Sequence, residues 1–380
     1  MLNENAVKNY VKENTAQMYE LLRELCLIPA PSGKEELRAE FCKRWFDSIG
    51  ASGVYIDDAL NVVCPVNVEG SNDITVFVAH TDTVFPDTEP MPYSDDGEIV
   101  RCPGVGDDTA SLVVLMLTAK FFVENKIMPK SGILFVANSC EEGLGNLKGT
   151  RKIFDDYNGR IKQFISFDSA SNCIYNRCVG SHRYDVLVKT EGGHSYAAFG
   201  KKSAIAVLSD MIKKIYEIDP PKKEGYRATY NVGTISGGTS VNTIAQNASM
   251  LCEYRSDNVD FLDVMQKEFF KIFESAKIEE AEIVITKVGD RPCARGVDEG
   301  LLSDLVAKCA TVMTEVYGSE PVYRSASTDC NIPLSLGIPA ACFGVYVGGK
   351  AHTREEWIKK DSLVPGLEVG IKVALKLMED

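Results

Sequence analysis

The chain has 380 residues, 45% hydrophobic and 25% charged, with a formal net charge of −13. That length is long for one hydrophobic core and argues for two domains, while the acidic balance excludes nucleic acid or an anionic membrane surface as the main partner. No apolar run is long enough for a transmembrane helix. The segment Met1–Asn5 has neither the basic start nor the apolar run of a secretory signal, and the twelve cysteines form no Cys-x-x-Cys pair. The expectation is a cytoplasmic protein with reduced, mostly buried thiols.

The pattern predicts an opening helix over 4–27, ended by Pro29-Ala30-Pro31-Ser32-Gly33, with Ser32 placed to cap a second helix over 34–49. Strands are predicted over 54–56, 62–66 and 74–79, then a loop rich in Pro, Asp and Gly over 85–106 and an apolar, buried helix over 108–123. A strand over 133–138, a helix over 147–156 and a strand over 164–167 continue the β–α alternation of a helix-flanked, mostly parallel sheet. From Gly180 the pattern changes: strand 184–189, helix 202–216, strands 228–236 and 249–254, helix 261–276, strand 282–287. That β-α-β-β-α-β order is the ferredoxin-like one. From about Arg291 helix and strand alternate again, through the apolar run 340–346 to a last helix over 363–378. The organisation expected is a discontinuous α/β domain, 1–179 and 291–380, interrupted by a lid-like α+β domain over 180–290.

The chemistry-bearing residues collect at strand ends of the first domain. The apolar strand Ile74–Ala79 runs into His80-Thr81-Asp82. Residues i and i+2 of an extended chain point to the same side, so Asp82 can accept the second N–H of the His80 ring and fix its tautomer. Gly104-Val105-Gly106-Asp107-Asp108 opens a helix, Ser139-Cys140-Glu141-Glu142-Gly143 follows strand 133–138, Asp168 ends strand 164–167, and His352 follows a glycine pair beyond strand 340–346. Six carboxylates (Asp82, Asp107, Asp108, Glu141, Glu142 and Asp168) at one sheet edge would repel one another without bound cations. Two imidazoles with carboxylates and no thiolate suit zinc, cobalt or manganese. Gly104-x-Gly106 is no dinucleotide fingerprint, since Thr109 occupies the third glycine position and no strand precedes it. Cys140 has no base beside it in the sequence to act as a nucleophile.

In series, His80-Thr81-Asp82, Gly106-Asp107-Asp108, Glu141-Glu142-Gly143, Asp168 and Ala351-His352-Thr353 resemble the co-catalytic di-zinc exopeptidases: peptidase T, glutamate carboxypeptidase, aminoacylase and succinyl-diaminopimelate desuccinylase. The resemblance implies that His80 and Asp168 hold one metal, Glu142 and His352 the other, and Asp107 bridges both. It further implies that Asp82 orients His80, that Glu141 is general base and acid, and that the Asp107–Asp108 peptide is cis. In the inserted domain, His194, Asn242 and Arg255 resemble the family's substrate-binding residues, while Arg255 could equally form an ion pair with Glu253 or Asp257. His182 reads as structural, and Asp329 lies in a polar loop that the family keeps near its site. Asp168, together with the glycine-rich approach to His352 and the run Arg354-Glu355-Glu356-Trp357, is similar to the peptidase T branch. The run Asp107-Asp108-Thr109-Ala110-Ser111 departs from that branch by lacking a lysine. The implied activity is hydrolysis of short peptides, with an N-acyl amino acid amidohydrolase or glutamate-type carboxypeptidase as the alternative, and with homodimers through the lid.

Overall fold

The computed structural model of the chain describes residues 4–378. Helices α1 (Glu4–Cys26) and α2 (Glu36–Ser48) open the chain. Strands β1 (Tyr55–Ile56), β2 (Val62–Val66), β3 (Ile74–His80), β4 (Ser94–Asp95) and β5 (Ile99–Arg101) follow, then α3 (Ser111–Glu124), β6 (Gly132–Asn138), α4 (Lys148–Asp156), β7 (Ile161–Phe167) and β8 (Cys173–Cys178). Three expectations change here, the first being the loop over 85–106, which carries the short strands β4 and β5. The second helix begins at Glu36 without a side-chain cap, because the Ser32 hydroxyl is engaged elsewhere. The buried helix begins at Ser111, three residues after the expected start: Asp107 (φ −102°, ψ 91°) and Asp108 (φ −125°, ψ 21°) interrupt it, and the peptide between them is cis. Strand β8 escaped the sequence pattern, since Asn176 and Arg177 break its apolar run.

The chain then enters a second compact unit, Val179–Ala294, against the expected limits of 180 and 290. It holds β9 (Gly180–Thr190), β10 (Gly193–His194), α5 (Ala204–Tyr216), β11 (Ala228–Gly237), β12 (Thr243–Ile244), β13 (Asn247–Ser256), α6 (Val259–Ser275) and β14 (Ala281–Arg291). Its sheet has the order β11-β13-β9-β14, every pair antiparallel, which is the ferredoxin-like arrangement. Burial alternates along β13, from Ala248 through Met250, Cys252 and Tyr254. Those residues share a core with Leu208 and Met211 of α5 and Met265 and Phe269 of α6, so one sheet face carries both helices.

The rest of the chain completes the first unit, Met1–Cys178 with Arg295–Asp380. It comprises α7 (Glu299–Tyr317), β15 (Val322–Ala326), α8 (Asn331–Ser335), β16 (Ala340–Phe343), β17 (Gly348–Gly349), β18 (Trp357–Lys359) and α9 (Leu363–Leu377). The main sheet runs β1-β2-β6-β3-β7-β16-β8-β15. Its four central strands, β6, β3, β7 and β16, are parallel, with antiparallel pairs on either side. Every residue of β3 and β6 is buried, as expected of parallel strands covered on both faces. Phe77 of β3 stacks on Phe135 of β6, and Phe122 of α3 meets Phe135 edge-on, seating that helix on the sheet. Helix α9 lies close to the segment after β16: a side chain at Gly366 would place its first carbon 1.8 Å from the Val345 carbonyl oxygen. Because the central strands are parallel, their carboxyl ends lie on one edge, where ligands bind in such sheets.

Candidate metal centre

That edge carries His80 at the end of β3, Glu141 and Glu142 just beyond β6, and Asp168 just beyond β7; His80 is paired in register with Asn138. The Asp107 turn precedes α3, and His352 lies in the connection between β17 and β18. Side-chain donors of His80, Asp107 and Asp168 fall within 4.8 Å of one another, and so do those of Asp107, Glu142 and His352. These are the two ligand sets expected from the resemblance, with Asp107 common to both. A third set, His80, Glu141 and Glu142, places the general-base candidate in the same cluster.

Asp107 has the geometry of a bridge. Its Oδ1 lies 3.0 Å from His80 Nε2 and its Oδ2 lies 3.0 Å from His352 Nε2. The other His80 nitrogen, Nδ1, is 3.0 Å from the Asp82 carbonyl oxygen, which can only accept, so Nδ1 carries the ring proton. In the neutral ring a bare Nε2 lone pair then faces a carboxylate oxygen, a repulsive pairing unless a cation or a proton lies between them. His352 Nε2 is also 3.0 Å from Glu142 Oε1, yet that buried oxygen has no hydrogen-bond partner. Two donors on one tetrahedral zinc stand about 3.3 Å apart, from bonds of about 2.0 Å, close to these separations. The residues therefore fit two divalent ions.

The electrostatics agree. Contacts with Asp107 and then Glu142 raise the His352 pKa to about 11. Burial opposes charge on His80, but hydrogen bonds to Asp107 and Asp82 outweigh it and hold its pKa well above the ordinary value. Burial pushes Asp168 up to about 7, with the Asp107 charge adding to the rise. Burial also disfavours the Asp107 carboxylate, but both imidazoles hold it below the usual range. The cluster draws positive charge to itself.

A surrounding set of side chains positions these groups. Asp82 does more than expected, and differently. Its backbone carbonyl, rather than its carboxylate, makes the short contact with His80; Oδ1 stands 3.5 Å from Nδ1. The carboxylate accepts the N–H of Glu141 at 3.0 Å, the N–H of Glu142 at 2.9 Å, and the Ser32 hydroxyl. Asp82 thus fixes the loop bearing both glutamates. Glu356, buried, accepts the N–H groups of Gly104 (2.7 Å), Gly106 (2.9 Å) and Asp107 (2.8 Å), fixing the turn that presents the bridge. Gly106 is required there, because a side chain would meet the Tyr346 ring at 2.8 Å. Asp329 accepts from Asn138 Nδ2 at 2.7 Å and from the Thr150 hydroxyl, tying the end of β6 to α4. Buried Arg38 donates to the carbonyls of Leu25, Ile28 and Thr81, holding the chain beneath His80. Cys140 does have a carboxylate beside it, Glu35 at 3.4 Å, but burial pushes its thiol up to about 12, which is no nucleophile.

Within the second unit, β10 pairs with β12 and sets His194 opposite Thr243, one residue from Asn242. His194 Nδ1 accepts the Tyr196 N–H at 3.2 Å, so its proton sits on Nε2. The Asn242 amide oxygen accepts the Ser240 hydroxyl at 2.8 Å. Arg255 lies eight residues along β13 from Asn247, roughly 26 Å of extended chain. Its guanidinium grips Glu253 at 2.7 and 3.0 Å, the ion pair that the sequence allowed. His182 is a structural residue, bound to the Tyr254 hydroxyl at 2.6 Å and 3.3 Å from Asp290.

Fold and site together define a dinuclear metallohydrolase. A model of the peptidase family M20/M25/M40 matches residues 76–376, and the chain belongs to that family. It is 23% identical to the uncharacterized protein YqjE of Bacillus subtilis (strain 168), over 95% of this chain and 98% of YqjE. It is 22% identical to carboxypeptidase G2 of Pseudomonas sp. (strain RS-16), over 71% of this chain and 64% of that protein. A tripeptidase structure from Staphylococcus aureus subsp. aureus Mu50 superposes with a TM-score of 0.75 at 21% identity, covering 95% of this chain and 99% of that one. The protein is a metal-binding peptidase of the hydrolase class, and among the described residues no helix is long and apolar enough to cross a membrane.

Proposed function

We propose that the protein is a cytoplasmic, tripeptide aminopeptidase-like exopeptidase that hydrolyses short peptides. The observation that carries this reading is the Asp107 carboxylate, one oxygen toward each imidazole, with Glu141 beside His80 and Glu142. Support for the tripeptidase branch comes from Asp168 at its ligand position and from the likeness to the tripeptidase fold. His80, Asp107 and Asp168 would hold one ion, and Asp107, Glu142 and His352 the other; zinc is the ion proposed, with cobalt and manganese also suited to these donors. Bound there, two ions would acidify a water and polarise the scissile carbonyl.

The chain's own residues do the rest. Glu141 takes the proton from the attacking water and returns it to the departing amine nitrogen. Glu142, next in sequence, is assigned to the second ion instead, because its Oε1 lies 3.0 Å from His352 Nε2 and has no hydrogen-bond partner of its own. In the second unit, His194, whose proton sits on Nε2, and Asn242, whose amide oxygen is engaged by Ser240, are assigned to substrate binding by their likeness to the family's substrate-binding residues. Arg255 keeps Nη1 for a substrate carboxylate while Glu253 holds Nε and Nη2. The second unit is also proposed as the face of a homodimer; a monomer by light scattering at working concentration would remove the dimer.

Free tripeptides, N-acetylated tripeptides and C-terminally blocked tripeptides separate the readings. Cleavage that requires a free α-amine supports the aminopeptidase. Preference for N-acyl amino acids, or for a free C-terminal carboxylate without a free amine, replaces it with the amidohydrolase or carboxypeptidase.

A further inference from the structure

Strands β17, β18, β5 and β4 form a small sheet of their own in the first unit. One of its faces is core: Val100 and Ile358, paired in register, are fully buried. On the other face Ser94, Arg101, Trp357 and Gly349 are successive cross-strand neighbours, so their side chains emerge in one row. The row is large in the middle and small at both ends. A side chain at Gly349 would place its first carbon 3.3 Å from the Trp357 indole, and Ser94 fills little space at the far edge. The result is an open cleft of about 710 Å³. Arg101 and Trp357 wall it from the sheet, Tyr93 from the segment before β4, and Lys350, Arg354 and Glu355 from the β17–β18 connection. That volume suits a small molecule, and none of the residues of the two ligand sets lines it.

The charge in these walls is opposite to that of the whole chain. Three of the four charged lining residues are cations, in a protein of net charge −13. Arg101 commits Nη1 to Asp96 at 2.8 Å, and Arg354 commits Nη2 to Asp87 at 2.6 Å with its guanidinium over the Phe85 ring. Lys350 Nζ has no hydrogen bond or ion pair among the described residues. Glu355 is the acid that opposes them. A cationic, concave surface raises the local concentration of anions, and the Trp357 and Tyr93 rings offer apolar faces for an aromatic group. We propose that this cleft is a binding site for a small aromatic carboxylate, whose charge pairs with Lys350 and the remaining donors of Arg101 while its ring packs on Trp357. His352 lies between Lys350 and Arg354 in the same connection, so an occupied cleft engages residues two positions from that metal ligand on either side.

Indole fluorescence reads the site, because the chain has two tryptophans, Trp45 and Trp357, and only the second lines the cleft. Metal-replete protein is titrated with hydrocinnamate and, separately, with its neutral amide. The expected result is a saturable change with the acid that is absent in Trp357→Phe. The amide should bind at least about tenfold more weakly, since it loses every charge-assisted contact. Lys350→Met should weaken the acid by about threefold or more, the scale of one exposed ion pair, and leave the amide unchanged; Lys350 is exposed, so this variant keeps the fold. If Trp357→Phe does not fold, Trp45→Phe should show the whole change from its one remaining indole. Equal affinities for acid and amide, or an acid affinity unchanged in Lys350→Met, overturn the proposal. So does a signal that chelating the metals abolishes in Lys350→Met, which places the carboxylate on the ions, and so does the lack of any saturable change at millimolar ligand.

Discussion

Replacing Glu356 by glutamine tests whether a residue outside both ligand sets holds the metal bridge in place. The carboxylate accepts three N–H groups, two at Oε1 from Gly106 and Asp107 and one at Oε2 from Gly104. In the Glu356→Gln variant the amide oxygen can keep the pair at Oε1, but the amide nitrogen then faces the Gly104 N–H, donor against donor. One bond is lost and two lose their charge. With hydrogen bonds to charged groups worth roughly 1.5–3 kcal/mol each, the turn should loosen by about 2–4 kcal/mol. Only part of that reaches the metal. Groups that orient metal ligands typically alter affinity about 10–100-fold, equivalent to about 1.4–2.7 kcal/mol. The assay is a chelator-competition measurement of metal affinity, with kcat measured on the fully loaded variant. The affinity should fall within that range, and at least as far in Glu356→Ala, which leaves all three donors unpaired. An affinity within twofold of wild type in both variants would refute the reasoning.

Other outcomes follow from the same geometry. Glu141→Ala should keep both metals and lower kcat about 10²–10⁴-fold, the usual share of a proton-transferring group; wild-type turnover would show that the base lies elsewhere. Protein stripped of metal should melt at lower temperature as pH rises from about 5 to 8. The raised Asp168 carboxyl contributes stability that is present below its ordinary value of 3.8 and lost as pH rises through about 7. The raised His352 and His80 rings act in the same direction, their contribution lost as pH climbs from 6.5 toward the folded values. Asp107, held low, loses its contribution only in stronger acid. Restoring metal should reverse the slope, because the ligands must be deprotonated to bind. A melting temperature of the stripped protein that rises from pH 5 to 8, followed by differential scanning fluorimetry, would contradict this.

His80, Glu142 and Asp168 were readable because each lies at or just beyond a strand end, where an apolar run gives way abruptly to ligating side chains, whereas Asp107 in its turn and His352 in the β17–β18 connection stood out only through the family resemblance. The parallel pairing of β6, β3 and β7 turns that local signal into a shared edge. Groups that act at long range gave no such sign. Glu356 serves backbone donors about 250 residues earlier in the chain, and nothing around it in sequence marks it as different from Glu355 beside it. Ser32 read as a helix cap because a serine before a helical run usually is one, yet its hydroxyl reaches Asp82, 50 residues on. The buried helix was drawn three residues too long at its start because Asp108-Thr109-Ala110 lead into the apolar run without a Gly or Pro break; the backbone at Asp107 and Asp108, shaped by the site, delays the helix to Ser111. For Arg255 the sequence left two partners open, and Glu253 on the same strand face took the guanidinium.

The central claim is that Asp107 joins two metal sites. Anomalous scattering from crystals of metal-replete protein tests it most directly. The account predicts two peaks about 3.5–4 Å apart, one within bonding distance of His80 and Asp168, the other of Glu142 and His352, with an Asp107 oxygen on each. A single peak, or two peaks that do not share Asp107, would contradict it.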